Sequence, residues 1–198
     1  MRSIVCLLAV MALAGCDREE AAPPQEANAD ASAASPGASS GASAVPVKGV
    51  DRSKAGTPAP DVTFQNPDGG EFTLSRSKGS PVLVNLWATW CAPCVKELPT
   101  LQKLDERHAV NGDLGIMIVS QDMAGKATVD SFLTEKGIKL RSFLDPEMKL
   151  SGALGVEVMP TTILYDSNGR EVWRYIGDLD WTGEEARKLL AEAAAPKG

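Results

Sequence analysis

The residues in this chain best suited to chemistry are Cys91 and Cys94, three apart in the stretch NLWATWCAPCVKELP. If a helix begins at Ala92 or Pro93, Cys91 stands at its N-terminus and Cys94 one turn along. Proline suits that first turn, because it has no N–H to lose and its φ is already helical. Unpaired backbone N–H groups and the positive helix end then favour a thiolate on Cys91. Cys94 is close enough for a small disulfide ring, so it can resolve a mixed disulfide that Cys91 has formed, and the two thiols make a two-electron exchange device. Three other readings compete: half of a zinc site, a structural bridge, or two unrelated core thiols. Zinc needs further ligands, and past Cys16 the chain offers only His108 and carboxylates beyond the pair. A bridge across so short a loop removes little unfolded-state entropy.

What surrounds the pair depends on where the chain resides. The N-terminus reads MRSIVCLLAVMALAGC, one Arg and then an apolar run too short to span a bilayer, closed by small residues before Cys16. Residues 1–15 are therefore expected to be an export signal. Leu13, Ala14, Gly15 and Cys16 resemble a bacterial lipoprotein box, which implies cleavage before Cys16, acylation of its thiol and a membrane anchor. Asp17 resembles the signal that retains lipoproteins in the inner membrane, so the expected location is the periplasm at that membrane. Of the 4 cysteines, Cys6 then leaves with the signal and Cys16 is capped, so only Cys91 and Cys94 remain as thiols. The formal net charge of -6 provides no basic stripe and argues against nucleic acid as a partner.

Residues 16–55, nearly free of aromatic and large aliphatic side chains, cannot bury enough apolar surface to fold and are expected to form a disordered, lipid-attached tether. From 56 to 198 the pattern changes to a single domain of alternating strand and helix signals. DVTFQNPDGGEFTL predicts a hairpin. VLVNLWA predicts a central strand buried on both faces. VKELPTLQKLDERHA carries a helical apolar stripe, with Pro99 placing a kink inside it. LGIMIVS predicts a second buried strand, and KATVDSFLTEKG a helix closed by Gly137. LRSFLD predicts a short strand and PEMKLSGALG a short helix starting at Pro146. MPTTILYDSNGREVWRYIG predicts a hairpin turning at Asn168-Gly169. WTGEEARKLLAEAA predicts a terminal helix with Thr182 as N-cap and Glu185 completing a capping box. This order implies an α/β layered sheet with helices on both faces.

With these elements in place, PVLVNLWATWCAPCVKELP resembles the active-site segment of the thioredoxin fold. The region from about Gly56 to Ala195 is similar to the TlpA/ResA-like branch of periplasmic thiol-disulfide oxidoreductases. The resemblance implies a central mixed sheet flanked by helices, with an N-terminal hairpin and an added strand-helix segment. It also implies roles: Cys91 attacks and Cys94 resolves, while Trp90, Pro93, Met159 and Pro160 line the substrate groove, Pro160 through a cis peptide. Glu97 matches an acidic position of ResA-like proteins and is expected near Cys94 as a proton carrier. The alternative is a solvated Glu that merely favours the helix.

Where cytoplasmic thioredoxins carry a buried Asp, this chain has Asn85, which cannot take a proton at neutral pH. Thr161 and Thr162 follow Pro160, which departs from the Pro-Glu-Thr of CcmG-type cytochrome c maturation reductases, although a haem-related role survives. Ala88 stands where a peroxiredoxin needs Thr. Ala92-Pro93 lacks the His of the oxidant DsbA, which points to a more reducing couple. The expected activity is reduction of disulfides in exported proteins by a monomer that needs no metal or organic cofactor and is re-reduced by a membrane donor of the DsbD/CcdA kind. An oxidase or isomerase with the same residues, and a chaperone using the groove without redox chemistry, are the alternatives. His108 ends a helix, where positive charge suits the dipole, and Trp87, Trp173 and Trp181 are expected to serve packing.

Overall fold

The computed structural model describes residues 47–192. The expected signal segment, Cys16, most of the expected tether and residues 193–198 lie outside this range. In chain order the elements are β1 (Gly49–Asp51), β2 (Thr63–Gln65), β3 (Glu71–Thr73), β4 (Val82–Trp87), α1 (Ala92–His108) and β5 (Gly115–Ser120). They continue with α2 (Lys126–Glu135), β6 (Phe143–Leu144), α3 (Lys149–Leu154), β7 (Thr161–Tyr165), β8 (Glu171–Ile176) and α4 (Glu184–Ala191). The strands form one mixed sheet in the order β1-β8-β7-β4-β5-β6-β2-β3. β4, β5 and β6 run parallel, and every other neighbour is antiparallel.

Alternation along the central strands divides the core into two layers. Leu83 and Trp87 of β4 face a cluster built from α1, α2 and α4, with Leu98, Leu101, Leu104, Val129, Leu133, Ala186 and Leu189. Val84 and Leu86 face the opposite cluster, with Leu150 and Leu154 of α3 and Phe64 of the first hairpin. Asn85 alternates with Leu86 and so shares the α1 side, where its side chain is wholly buried. Gly137 closes α2 and Gly169 turns the second hairpin, at φ 68 and 73, a region that side chains with a Cβ rarely adopt. Trp87, Trp173 and Trp181 are all core residues.

Three expectations about local structure are corrected. The sheet begins before residue 56, because β1 lies inside the segment assigned to the tether and pairs with β8, Gly49 facing Ile176 and Asp51 facing Arg174. Three residues have too little periodicity to announce a strand; the edge of β8 recruits them through backbone hydrogen bonds, and Val50 packs on the core. α3 starts at Lys149, not at Pro146. The buried Asp145 carboxylate accepts from the backbone N–H groups of Lys149, Leu150 and Ser151, and so sets the helix start later. α4 starts at Glu184 with Gly183 as N-cap. Thr182 Oγ1 donates to Asp180 at 2.6 Å, so the capping box with Glu185 does not form.

Candidate functional site

β4 ends at Trp87 and its loop delivers Cys91 as the N-cap residue of α1, with Pro93 in the first turn. The Cys91 carbonyl accepts the first helical bond, from Val95 N–H at 3.0 Å. Cys94 follows one turn later, and the two sulfurs form a disulfide with Cα atoms 5.3 Å apart. The two thiols are thus partners in one bond, which removes the unrelated-thiol reading. Cys91 is 6% exposed and Cys94 0%, so an incoming group reaches Cys91 first. Trp90, next to Cys91 in the chain, is 65% exposed. α1 continues through Pro99, whose missing N–H leaves the Val95 carbonyl without its helical donor.

The partner strand brings the second half of the site. Thr161 pairs with Leu86 and with Ile176, so Met159 and Pro160 lie at the end of the sheet from which the Cys91 loop departs. The Met159–Pro160 peptide is cis. Pro160 is buried, its carbonyl accepts from Gly177 N–H at 2.8 Å, and Met159 packs against the cluster that contains both cysteines.

Glu97 is not the solvated side chain of the alternative reading. It is 2% exposed, on the same buried face of α1 as Cys94. Its Oε1 accepts from Asn85 Nδ2 at 2.7 Å, and its Oε2 accepts from Leu179 N–H at 3.1 Å and from Trp181 Nε1–H at 3.2 Å. Burial pushes its carboxyl up to about 7, against the downward pull of those three donors, and nearby Asp178 adds to the rise. Each carboxylate oxygen has two acceptor positions. Oε2 has both filled and Oε1 has one open, so a proton arriving at Glu97 binds at Oε1 without displacing a donor.

Two residues support the site, and of these Asp122 escaped the sequence reading. Asp122, 4% exposed, accepts from Thr89 N–H at 2.9 Å, Thr89 Oγ1–H at 2.6 Å and Ser120 Oγ–H at 2.7 Å. It thereby clamps the loop that carries Trp90 and Cys91 to the end of β5. The available signal was the polar run Ser120-Gln121-Asp122 directly after a buried strand, at the carboxyl end of a parallel pair, where sites of α/β proteins concentrate. Asn85 is the second: its Nδ2 donates both to Glu97 and to Thr162 Oγ1, the latter at 2.9 Å. His108 ends α1 and pairs with Asp113 at 2.7 Å, well away from this network in sequence and on an exposed turn.

A redox-capable pair at a helix N-terminus, level with a cis proline at one end of a mixed sheet flanked by helices, defines a thioredoxin-fold thiol-disulfide oxidoreductase. The Redoxin family model matches residues 54–190, and the chain belongs to that family. It is similar to the thiol-disulfide oxidoreductase ResA of Bacillus anthracis, 31% identical over 128 residues, which covers 65% of this chain and 73% of ResA. Among solved structures it is similar to a putative thiol:disulfide interchange protein DsbE from Chlorobium tepidum, with TM-score 0.63 and 26% identity over 71% of this chain and 98% of that one. It is also similar to the pneumococcal exposed lipoprotein thioredoxin Etrx1 of Streptococcus pneumoniae strain TIGR4, with TM-score 0.56 and 25% identity over 69% of this chain and 100% of that one.

Proposed function

We propose that the protein reduces disulfides in exported proteins. The observation that carries this reading is the pairing of Cys91, 6% exposed, with a fully buried Cys94, one helical turn from a buried carboxylate. In the reduced protein the Cys91 thiolate attacks a substrate disulfide; the S–S bond breaks, a mixed disulfide forms, and one substrate sulfur leaves as thiolate. The Cys94 thiol gives its proton to Glu97 and attacks the Cys91 sulfur. The second substrate thiolate leaves, and the Cys91–Cys94 disulfide remains, two electrons having passed to the substrate. Trp90, Pro93, Met159 and Pro160 hold the incoming chain beside Cys91. A carboxyl near 7 is ionised enough to accept the thiol proton at neutral pH and protonated enough to return it.

The cycle requires re-reduction by a dithiol partner, and a membrane donor of the DsbD/CcdA kind fits a protein anchored at the inner membrane through lipidated Cys16 and the segment behind it. The exposed lipoprotein form of the pneumococcal relative supports that arrangement, and cytochrome c maturation is one process that would use it. The equilibrium reduction potential of the whole protein tests the direction. A value more negative than about -200 mV supports reduction, and one near roughly -120 mV marks an oxidant instead. A Cys94→Ser variant is expected to trap mixed disulfides through Cys91; if none form, exchange is not the task of the groove.

A further inference from the structure

Asn85 Oδ1 is a buried acceptor with no hydrogen-bond partner among the described residues. Its orientation is not arbitrary. While Glu97 is ionised it can only accept, so it faces the Asn85 amide nitrogen, and Thr162 Oγ1 takes the other amide hydrogen. Oδ1 is thus turned away from both partners while remaining on the side of β4 that α1 covers. Buried polar atoms are almost always paired, so an orphan next to redox chemistry asks for an explanation.

Cys94, 0% exposed, has no hydrogen while it is half of a disulfide. Reduction gives it an S–H that no solvent reaches. Residues three apart on a helix have their Cβ atoms about 5–6 Å apart, so the Cys94 sulfur lies one turn from the carboxylate that Asn85 already holds at 2.7 Å. We infer that Asn85 Oδ1 accepts the hydrogen bond of the Cys94 S–H in the reduced protein. Asn85 is then a positioning residue: one amide binds the proton donor through its oxygen and the proton acceptor through its nitrogen, and keeps Oε1 of Glu97 open on the Cys94 side. This deepens the proposed function and rests on its reading of Cys91 and Cys94 as a pair that cycles between disulfide and dithiol.

The test is the infrared S–H stretch of Cys94, taken as the difference between full-length Cys91→Ser and Cys91→Ser/Cys94→Ser proteins, which cancels any other thiol. The expected band is displaced to lower wavenumber than that of a free thiol. It should return to the free position with Asn85→Ala and stay displaced with Thr162→Val, which removes only the other amide contact. A band already at the free position with Asn85 intact overturns the inference, whether or not the Asn85→Ala protein folds; so does a displaced band that Asn85→Ala leaves in place. If the wild-type pair fails to titrate against a dithiol-disulfide buffer, the underlying reading falls with it, whereas a cycling pair with an undisplaced band removes Asn85 alone.

Discussion

Glu97 ties the stability of the fold to pH in a way that one substitution can expose. Burial raises its carboxyl from an ordinary value of 4.5 to about 7. Between those two pH values the folded chain holds a proton that the unfolded chain has released. The contribution is full below the unfolded value, is lost as pH rises, and is gone above about 7. At about 1.4 kcal/mol per pH unit, the interval amounts to about 3 kcal/mol. Glu97→Gln carries no titrating group. Its amide oxygen still accepts from Leu179 N–H and Trp181 Nε1–H, while its NH₂ meets the Asn85 amide and obliges that side chain to turn. Urea unfolding of both proteins with the disulfide intact, at a series of pH values from about 4.5 to 8, isolates the effect, because the other carboxylates and His108 are common to both. The stability of wild type minus variant should fall by about 3 kcal/mol across that range. A difference that stays constant with pH would refute the reasoning about Glu97.

Three further outcomes are expected. Arg174 donates to both oxygens of Glu171 and to the Leu154 carbonyl in the buried α3 layer; Arg174→Met leaves Glu171 unpaired and should cost about 3–5 kcal/mol in urea unfolding, with much of it recovered by Arg174→Met/Glu171→Gln. A chain starting at Gly56 lacks β1 and its ladder to β8, and should unfold at lower urea than one starting at Val47 by roughly 2–3 kcal/mol, at about 1 kcal/mol per hydrogen bond. Asp122→Ala releases Thr89 and should cost about 2–3 kcal/mol while opening the 88–90 loop to limited proteolysis; an unchanged digestion pattern would count against the clamp.

The central strands, the principal helices, both hairpins and the reactive pair were legible in the sequence because each rests on local signals: buried apolar runs, helical stripes, Asn168-Gly169 and the spacing of Cys91 and Cys94. What was illegible depends on contacts distant in the chain. β1 exists because β8 offers an edge 127 residues later, Gly49 to Ile176. The starts of α3 and α4 are set by Asp145 and Asp180, which compete with the more obvious Pro146 and Thr182. The environment of Glu97 is assembled from β4 and from the loop holding Leu179 and Trp181, 82 and 84 residues away. Helical spacing placed Glu97 near Cys94, but nothing local could say that it was buried.

The first strand has a practical consequence for orientation. Gly49 sits in one row across the sheet with Ile176, Thr161 and Leu86, so the chain enters the domain beside the Cys91–Cys94 end. The last helix finishes at the other side of that strand, where Glu192 Oε1 accepts from Arg52 Nη2 at 2.6 Å. A bead, electrode or fusion protein attached ahead of Val47 therefore begins at the face a substrate must reach, and one attached behind α4 leaves that face open. Slower turnover of a large disulfide-bonded substrate by N-terminally immobilised protein, with unchanged reactivity toward a small disulfide, would be the mark of this geometry.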